Sequence, residues 1–376
     1  RENDLVLGTH GRSFFVLDDY SALRGLSESD FSNRLKILST SPGQKYQARQ
    51  TPSSRFTGSG EFRADNEPYG VMVTFIASGD DLPHPDEDIQ RERSITRRAA
   101  EPPGTEDDEK AKEDKLPRVE MKVTNGAGET IRTRKFPVHQ GINRVVWHLD
   151  HDGVRPMPGP EPADLEDGLP GGPEIPSGQY QISLHLDSEE SGPVESSAPV
   201  SVLADPRSKA TTETEVRIFQ ARMSLLALQD TTVSAVERIV NARNDVETVI
   251  KLIANQPRAR EDESLKLLSE QAVEVNKGLT EIEKRFRSPP QTRGITYRDE
   301  KIINMIQRAD SYINNSFTAP GNTAEIYADI ARQALDVAVE ELNGFIKTEL
   351  AAFIKAADDA GIGLFRSATP IDSGSR

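Results

Sequence analysis

The sequence predicts a multidomain chain of both α and β structure: an opening β-hairpin, an immunoglobulin-like antiparallel β-sandwich and an α-helical bundle. Three observations carry that expectation. Leu5-Val6-Leu7 and Phe14-Phe15-Val16-Leu17 are short continuous apolar runs around Gly8-Thr9-His10-Gly11, the pattern of two inner strands joined by a glycine-rich turn. Between residues 69 and 203, several short segments alternate apolar and polar residues with period 2. After Asp205-Pro206-Arg207 the period changes to 3.6 and stays there.

In chain order, residues 1–38 hold the hairpin and an exit segment, and 39–68, rich in Ser, Thr, Gly and Arg, read as an irregular connector. A lone hairpin is marginal in water, so this one expects a partner sheet outside the sequence. The sandwich is expected over 69–207, with strands at 69–77, 119–124, 130–137, 144–149, 179–186 and 198–203. Val119, Met121 and Val123 oppose Glu120, Lys122 and Thr124, and Tyr180, Ile182, Leu184 and Leu186 oppose Gln181, Ser183 and His185. Asn125-Gly126 and Gly128 supply a turn. Two insertions, 80–115 and 156–176, are dense in charge or in Pro and Gly, and are expected to be disordered.

The bundle is expected over 208–360, opened by a Thr212-Glu-Thr-Glu215 capping box. Its second helix carries Leu265, Leu268, Ala272, Val275, Leu279, Ile282 and Phe286 at unbroken three and four spacing, until Pro289-Pro290 stops it. A shorter third helix spans 299–314. The fourth, 323–357, is read as burying Ile326, Ile330, Val337, Leu342, Phe345, Leu350 and Phe353. Short linkers favour an antiparallel bundle, with self-association through the helices as the alternative. Residues 361–376 read as a flexible tail.

The run from Asn3 to Asp19, with Asp4-Leu-Val-Leu-Gly-Thr-His-Gly-Arg12 and Leu17-Asp-Asp19 at its heart, resembles the closing strands of the β-propeller in bacterial sortilin-like, BNR-repeat "glycosyl hydrolase" proteins. Gln140-Gly-Ile-Asn-Arg-Val-Val-Trp147-His-Leu149, Arg155-Pro-Met-Pro-Gly-Pro160 and Ile175-Pro-Ser-Gly178-Gln-Tyr180 through Asp205-Pro206-Arg207 resemble the same family in order and spacing. The Ser-x-Asp-x-Gly-x-x-Trp repeat of the propeller itself is absent. The resemblance therefore implies a terminal-blade remnant followed by the accessory region: non-catalytic, bracing upstream propeller blades and meeting a protein or glycan ligand. It also implies export from a bacterial cell, to the periplasm, surface or medium. The alternative is a fragment of a sialidase-like glycosyl hydrolase whose active site lies mainly in upstream blades.

Composition narrows the chemistry. With 376 residues, 35% hydrophobic and 28% charged, the chain is polar for its size, and a net charge of -15 disfavours nucleic acid as a partner. No apolar run approaches the roughly 20 residues of a membrane span. The absence of cysteine removes disulfides, thiol catalysis and thiolate-bound metal. His148, Asp150, His151 and Asp152 carry zinc-type donor atoms, but alternation turns His151 away from the others, and no second cluster completes a site. Neither metal nor cofactor is expected. A glycosidase would need two carboxyl groups flanking the scissile bond, which 61 acidic residues cannot single out. Catalytic residues are accordingly not assigned. His10 and Arg12, in the hairpin turn, are the candidate ligand-binding residues, because a propeller loop can present them to an anion in the central channel; the competing expectation pairs Arg12 with Asp18 or Asp19.

Overall fold

The computed structural model describes residues 3–11, 13–47, 67–100, 117–159, 161–187, 192–256, 262–288, 300–314 and 318–362. The chain is of mixed α and β structure: β-sheets, among them a curled half-barrel, precede a bundle of about four long helices. It divides into two compact units, Arg1–Gly153 with Asp164–Gln220, and Val154–Ala163 with Ala221–Arg376.

In the first unit, β1 (Leu5–Gly8) and β2 (Phe14–Leu17) form a two-stranded antiparallel ribbon. A short helix, α1 (Ser21–Arg24), and a 3-10 turn at Glu28–Ser32 follow. β3 (Leu35–Thr40), β5 (Val71–Ala77) and β8 (Gly141–Trp147) make a three-stranded antiparallel sheet in the order β3-β5-β8. A five-stranded sheet has the order β4-β12-β11-β6-β7, from β4 (Gly43–Gln44), β12 (Val194–Leu203), β11 (Gly178–Leu186), β6 (Arg118–Thr124) and β7 (Thr130–Pro137). Alternation sorts the faces as expected. Val119, Met121 and Val123 are buried, as are Ile182, Leu184 and Leu186, and they share one core with Val71, Val73, Phe75 and Trp147. Pro199 sits in β12 outside its short pairing with β4, at residues where no second strand needs its missing N–H. Asn125 closes the β6–β7 turn, its Oδ1 accepting from the backbone N–H of Ala127 and Glu129 at 2.9 and 3.0 Å.

Three expectations need correction in this unit. The segment read as exit and connector supplies β3 and β4, so the paired sheets begin at Leu35 rather than at residue 69. Within 80–115, helix α2 (Glu87–Ala100) replaces the expected loop; Asp86 caps it by accepting from the N–H groups of Asp88 and Ile89. Residues 101–115 lie outside the described residues. The segment 156–176 carries β10 (Gly171–Glu174), paired with β9 (Asp150–Asp152), and Lys135 donates its N–H to the Asp167 carbonyl. Backbone pairing orders a stretch whose composition has little to bury.

In the second unit the helices are α3 (Thr212–Ala254, which begins in the first unit), α4 (Glu263–Phe286), α5 (Ile302–Asn314) and α6 (Asn322–Phe345). α6 continues through a π turn at Ile346–Leu350 into α7 (Ala351–Asp359). α3 starts one residue earlier than the capping box implied. Thr211 is the cap, its Oγ1 accepting from Thr214 N–H at 3.2 Å, and Glu215 is engaged elsewhere. All seven α4 residues named from the sequence are buried. On α6 the inward face is Ala324, Ala331, Leu335, Ala338 and Leu342, whereas Ile326, Ile330 and Val337, expected in the core, are exposed. Inside the unit, buried Glu283 joins Arg243 of α3 and Arg287 just beyond α4, and Arg287 also donates to the Pro158 carbonyl.

Candidate interaction site

The ribbon β1–β2 pairs Leu5 with Leu17, Val6 with Val16, Leu7 with Phe15 and Gly8 with Phe14. Because side chains alternate across a strand, Leu5, Leu7, Phe15 and Leu17 share one face, and Val6, Val16 and Phe14 share the other. Every one of these seven is exposed, from 40% at Leu5 and Leu17 to 76% at Phe14. Both faces of the ribbon are therefore apolar and bare. Covering them is worth on the order of 5–10 kcal/mol, taking about 1 kcal/mol for each half-covered side chain.

The turn is tied by Thr9, whose N–H donates to the Ser13 carbonyl at 2.9 Å and whose Oγ1 accepts from Ser13 N–H at 3.2 Å. His10 lies exposed at its tip, and Arg12 falls outside the described residues, so the expected pairing of Arg12 with Asp18 or Asp19 does too. The open end of the ribbon is anchored. Asp19, at φ +42°, donates its N–H to Asp4 Oδ1 at 3.2 Å and accepts from Ser21 N–H at 3.1 Å. Arg144 of β8 then donates to the Asp18 carbonyl at 2.7 Å and to the Asp19 carbonyl at 2.9 Å, which fixes the ribbon's base to the three-stranded sheet.

The His148–Asp152 cluster is spent on structure. Arg132, 3% exposed, pairs with Asp152 at 2.8 Å and Asp150 at 3.2 Å, and donates to the carbonyls of Leu169 and Pro170. Burial pushes the Asp150 carboxyl up more than the Arg132 guanidinium pulls it down. His148 Nδ1 lies 2.8 Å from the Tyr69 carbonyl, and His151 Nδ1 lies 2.8 Å from the Asp152 carbonyl. Among the described residues no group of three or more His, Asp or Glu is placed to hold a metal ion.

Lys45 forms a second buried ionic group that sequence reasoning missed. Its ammonium donates to the Ile175 carbonyl at 2.9 Å and lies 3.3 Å from Glu174 and 3.6 Å from Glu215. Glu215 also accepts from Ser177 N–H at 2.6 Å, and Glu174 accepts from the Tyr69 hydroxyl. Burial first, and then the Glu174 contact, raise the Tyr69 phenol above its ordinary range. Burial and the nearby Glu215 push Tyr180 up to about 12. With three acceptors around it, Lys45 is a strut rather than a nucleophile.

No family model matches the chain, and no curated protein matches it. Among solved structures, pT26-6p aligns at 12% identity with a TM-score of 0.13, over 65% of this chain and 42% of its own, a likeness too slight to bear on fold or function.

Proposed function

We propose that this chain is a non-catalytic accessory region of an exported bacterial propeller protein of the sortilin-like, BNR-repeat kind. The hairpin is the last piece of a blade, and the paired sheets, an immunoglobulin-like sandwich, hold it in place. Their combined role is to brace the propeller and to present a surface to a protein or glycan ligand. The single observation that supports this reading is the ribbon with two bare apolar faces. A strand pair apolar on both sides belongs in the interior of a layered β-structure, and a propeller blade is such a place, since each blade is covered by a neighbour on either face. The four-residue strands suit a short blade, and the Arg144 anchor suits a brace.

The test is hydrogen exchange at Leu5–Gly8 and Phe14–Leu17. These amides are expected to exchange quickly in the 376-residue chain and slowly once the chain is joined to the propeller repeats that the proposal expects before Arg1. A gene with no such repeats, or fast exchange in the joined protein, overturns the proposal. Assay of the joined protein on sialylated and neutral glycans, with His10→Ala and Arg12→Ala alongside, decides the hydrolase alternative: activity lost in those variants would replace the non-catalytic reading.

A further inference from the structure

Helix α6 carries a second apolar stripe on its outer side. Ile326, Ile330, Val337 and Gly344 follow at spacings of four, seven and seven, which places them within about 40° of one another on the helix. The stripe lies about 140° round from the buried Ala331, Leu335, Ala338 and Leu342. Ile326, Ile330 and Val337 are 48%, 45% and 63% exposed. Beside this stripe the surface dips into a depression lined by Asp336, Val339, Glu340, Asn343, Gly344 and Lys347. Residues 340, 343, 344 and 347 are the four that bound a coiled-coil hole, and here the floor of that hole is a glycine.

We infer that this face pairs with the same face of a second copy, the two α6 helices running antiparallel about a dyad at Val337. That register meets three independent features of the helix. It brings Ile330 of one copy to the level of Gly344 in the other, so an exposed knob meets the hole floored by glycine. Gln333 falls at the level of Glu341, which Arg285 approaches at 3.4 Å, and its amide can donate there. Across an antiparallel dyad like flanks face each other, so Lys347 comes between Glu325 and Asp329 of the second copy, and Asp329 already holds Arg332 of its own helix. The stripe from Ile326 to Thr348 runs about 33 Å, three heptads of contact. Like charge opposes it: Asp336 of each copy approaches Asp336 and Glu340 of the other near the dyad, contacts that limit affinity.

The chain has no cysteine, so the dyad can be read directly. In Val337→Cys, the two new thiols meet at the dyad, and mild oxidation is expected to give a disulfide-linked dimer; a parallel pairing would also join them, and the charge exchange below tells the two apart. Leu267→Cys, exposed on α4, is expected to stay unlinked under the same treatment. Sedimentation equilibrium of the unmodified chain at about 0.15 M salt is expected to show mass rising from 41.5 kDa toward twice that between about 1 and 100 µM. Val337→Glu is expected to remain at the single-chain mass with unchanged helical circular dichroism. Lys347→Glu should weaken the dimer by about tenfold or more, Asp329→Lys on the same chain should restore it, and Asp336→Asn should tighten it. A single-chain mass throughout, linkage at Leu267→Cys equal to that at Val337→Cys, or failure of the charge exchange to restore association overturns the inference. A dimer lost in Phe14→Ser with Phe15→Ser but kept in Val337→Glu would assign association to the hairpin instead, and would equally overturn it.

Discussion

Replacing Glu283 with alanine should be among the most damaging single changes in the helical unit. Its carboxylate has no exposed surface, and its two oxygens serve two arginines: Arg243 Nη2 donates to Oε2 at 2.6 Å, and Arg287 reaches Oε1 through Nε and Nη2, both at 2.8 Å. Arg287 is also tied to the Pro158 carbonyl, so it cannot swing out to solvent without losing a second partner. Removing the carboxylate leaves two guanidinium groups, with side chains 26% and 12% exposed, facing each other with no anion between them. Breaking a buried ion pair from one side typically costs about 3–5 kcal/mol, because the abandoned charge keeps its desolvation penalty. At a urea dependence near 2 kcal/mol per molar, that loss moves the unfolding midpoint down by about 2 M. The measurement is urea denaturation followed by helical circular dichroism, with Glu283→Gln in parallel. Gln keeps the shape and one hydrogen-bond acceptor, so it should fall between wild type and Ala. A loss under about 1 kcal/mol in Glu283→Ala would show that the clamp contributes little and would refute the reasoning.

Three further outcomes are expected. The Asp30 carboxyl is held at about 2, chiefly by the 2.5 Å hydrogen bond from Lys36 and then by the backbone N–H and hydroxyl of Ser27. Its folded value lies below the ordinary 3.8, so its contribution is complete above that value and disappears as pH falls toward about 2. Asp30→Asn should therefore lose less stability than wild type between about pH 4 and pH 2, and equal acid slopes would count against the assignment. Gly70 adopts φ +140°, and a Cβ there would run into the Trp147 carbonyl, so Gly70→Ala should cost more than about 2 kcal/mol, read by the fluorescence of the sole tryptophan; a smaller loss would mean the β5–β8 pairing gives way easily. Phe14→Ser with Phe15→Ser should change the chain's stability by no more than about 0.5 kcal/mol and reduce binding of an apolar dye, whereas a loss above about 2 kcal/mol would show that the ribbon is already packed.

What the sequence disclosed and what it concealed follow from the range of the interactions. α4 was legible because an unbroken stripe of apolar residues at three and four spacing runs from Leu265 to Phe286, and the few apolar residues off it, Leu267 and Val273, make no second stripe. α6 was misread because it carries two stripes, and bulk pointed to the wrong one. Alanines at 324, 331 and 338 face inward, where small side chains let helices approach, and the bulkier Ile326, Ile330 and Val337 face out. β4 is two residues long and pairs with β12 159 positions away, which no local pattern encodes. The ionic groups are hidden for the same reason. Arg132 is a polar residue in an alternating strand until Asp150 and Asp152 come round to meet it, and Arg144 reaches a carbonyl 126 positions back.

The hairpin is the instructive case, because its local pattern was read from the sequence and its surroundings were not. Continuous apolar strands normally announce burial on both faces, and Val71–Ala77 obeys that rule inside this chain, where every residue of the strand is buried. Leu5–Gly8 and Phe14–Leu17 carry the same kind of pattern, and every residue in them is exposed. Local sequence does not separate the two strands; a covering sheet does. The ribbon is also not a loosely tethered arm, since Asp4, Asp19, Ser21 and Arg144 fix its base through hydrogen bonds of 2.7–3.2 Å. An apolar element held in a set direction meets its partner with less ordering cost than one that must first be immobilised. That combination, two bare faces on an anchored base, is what separates this ribbon from a chance surface patch.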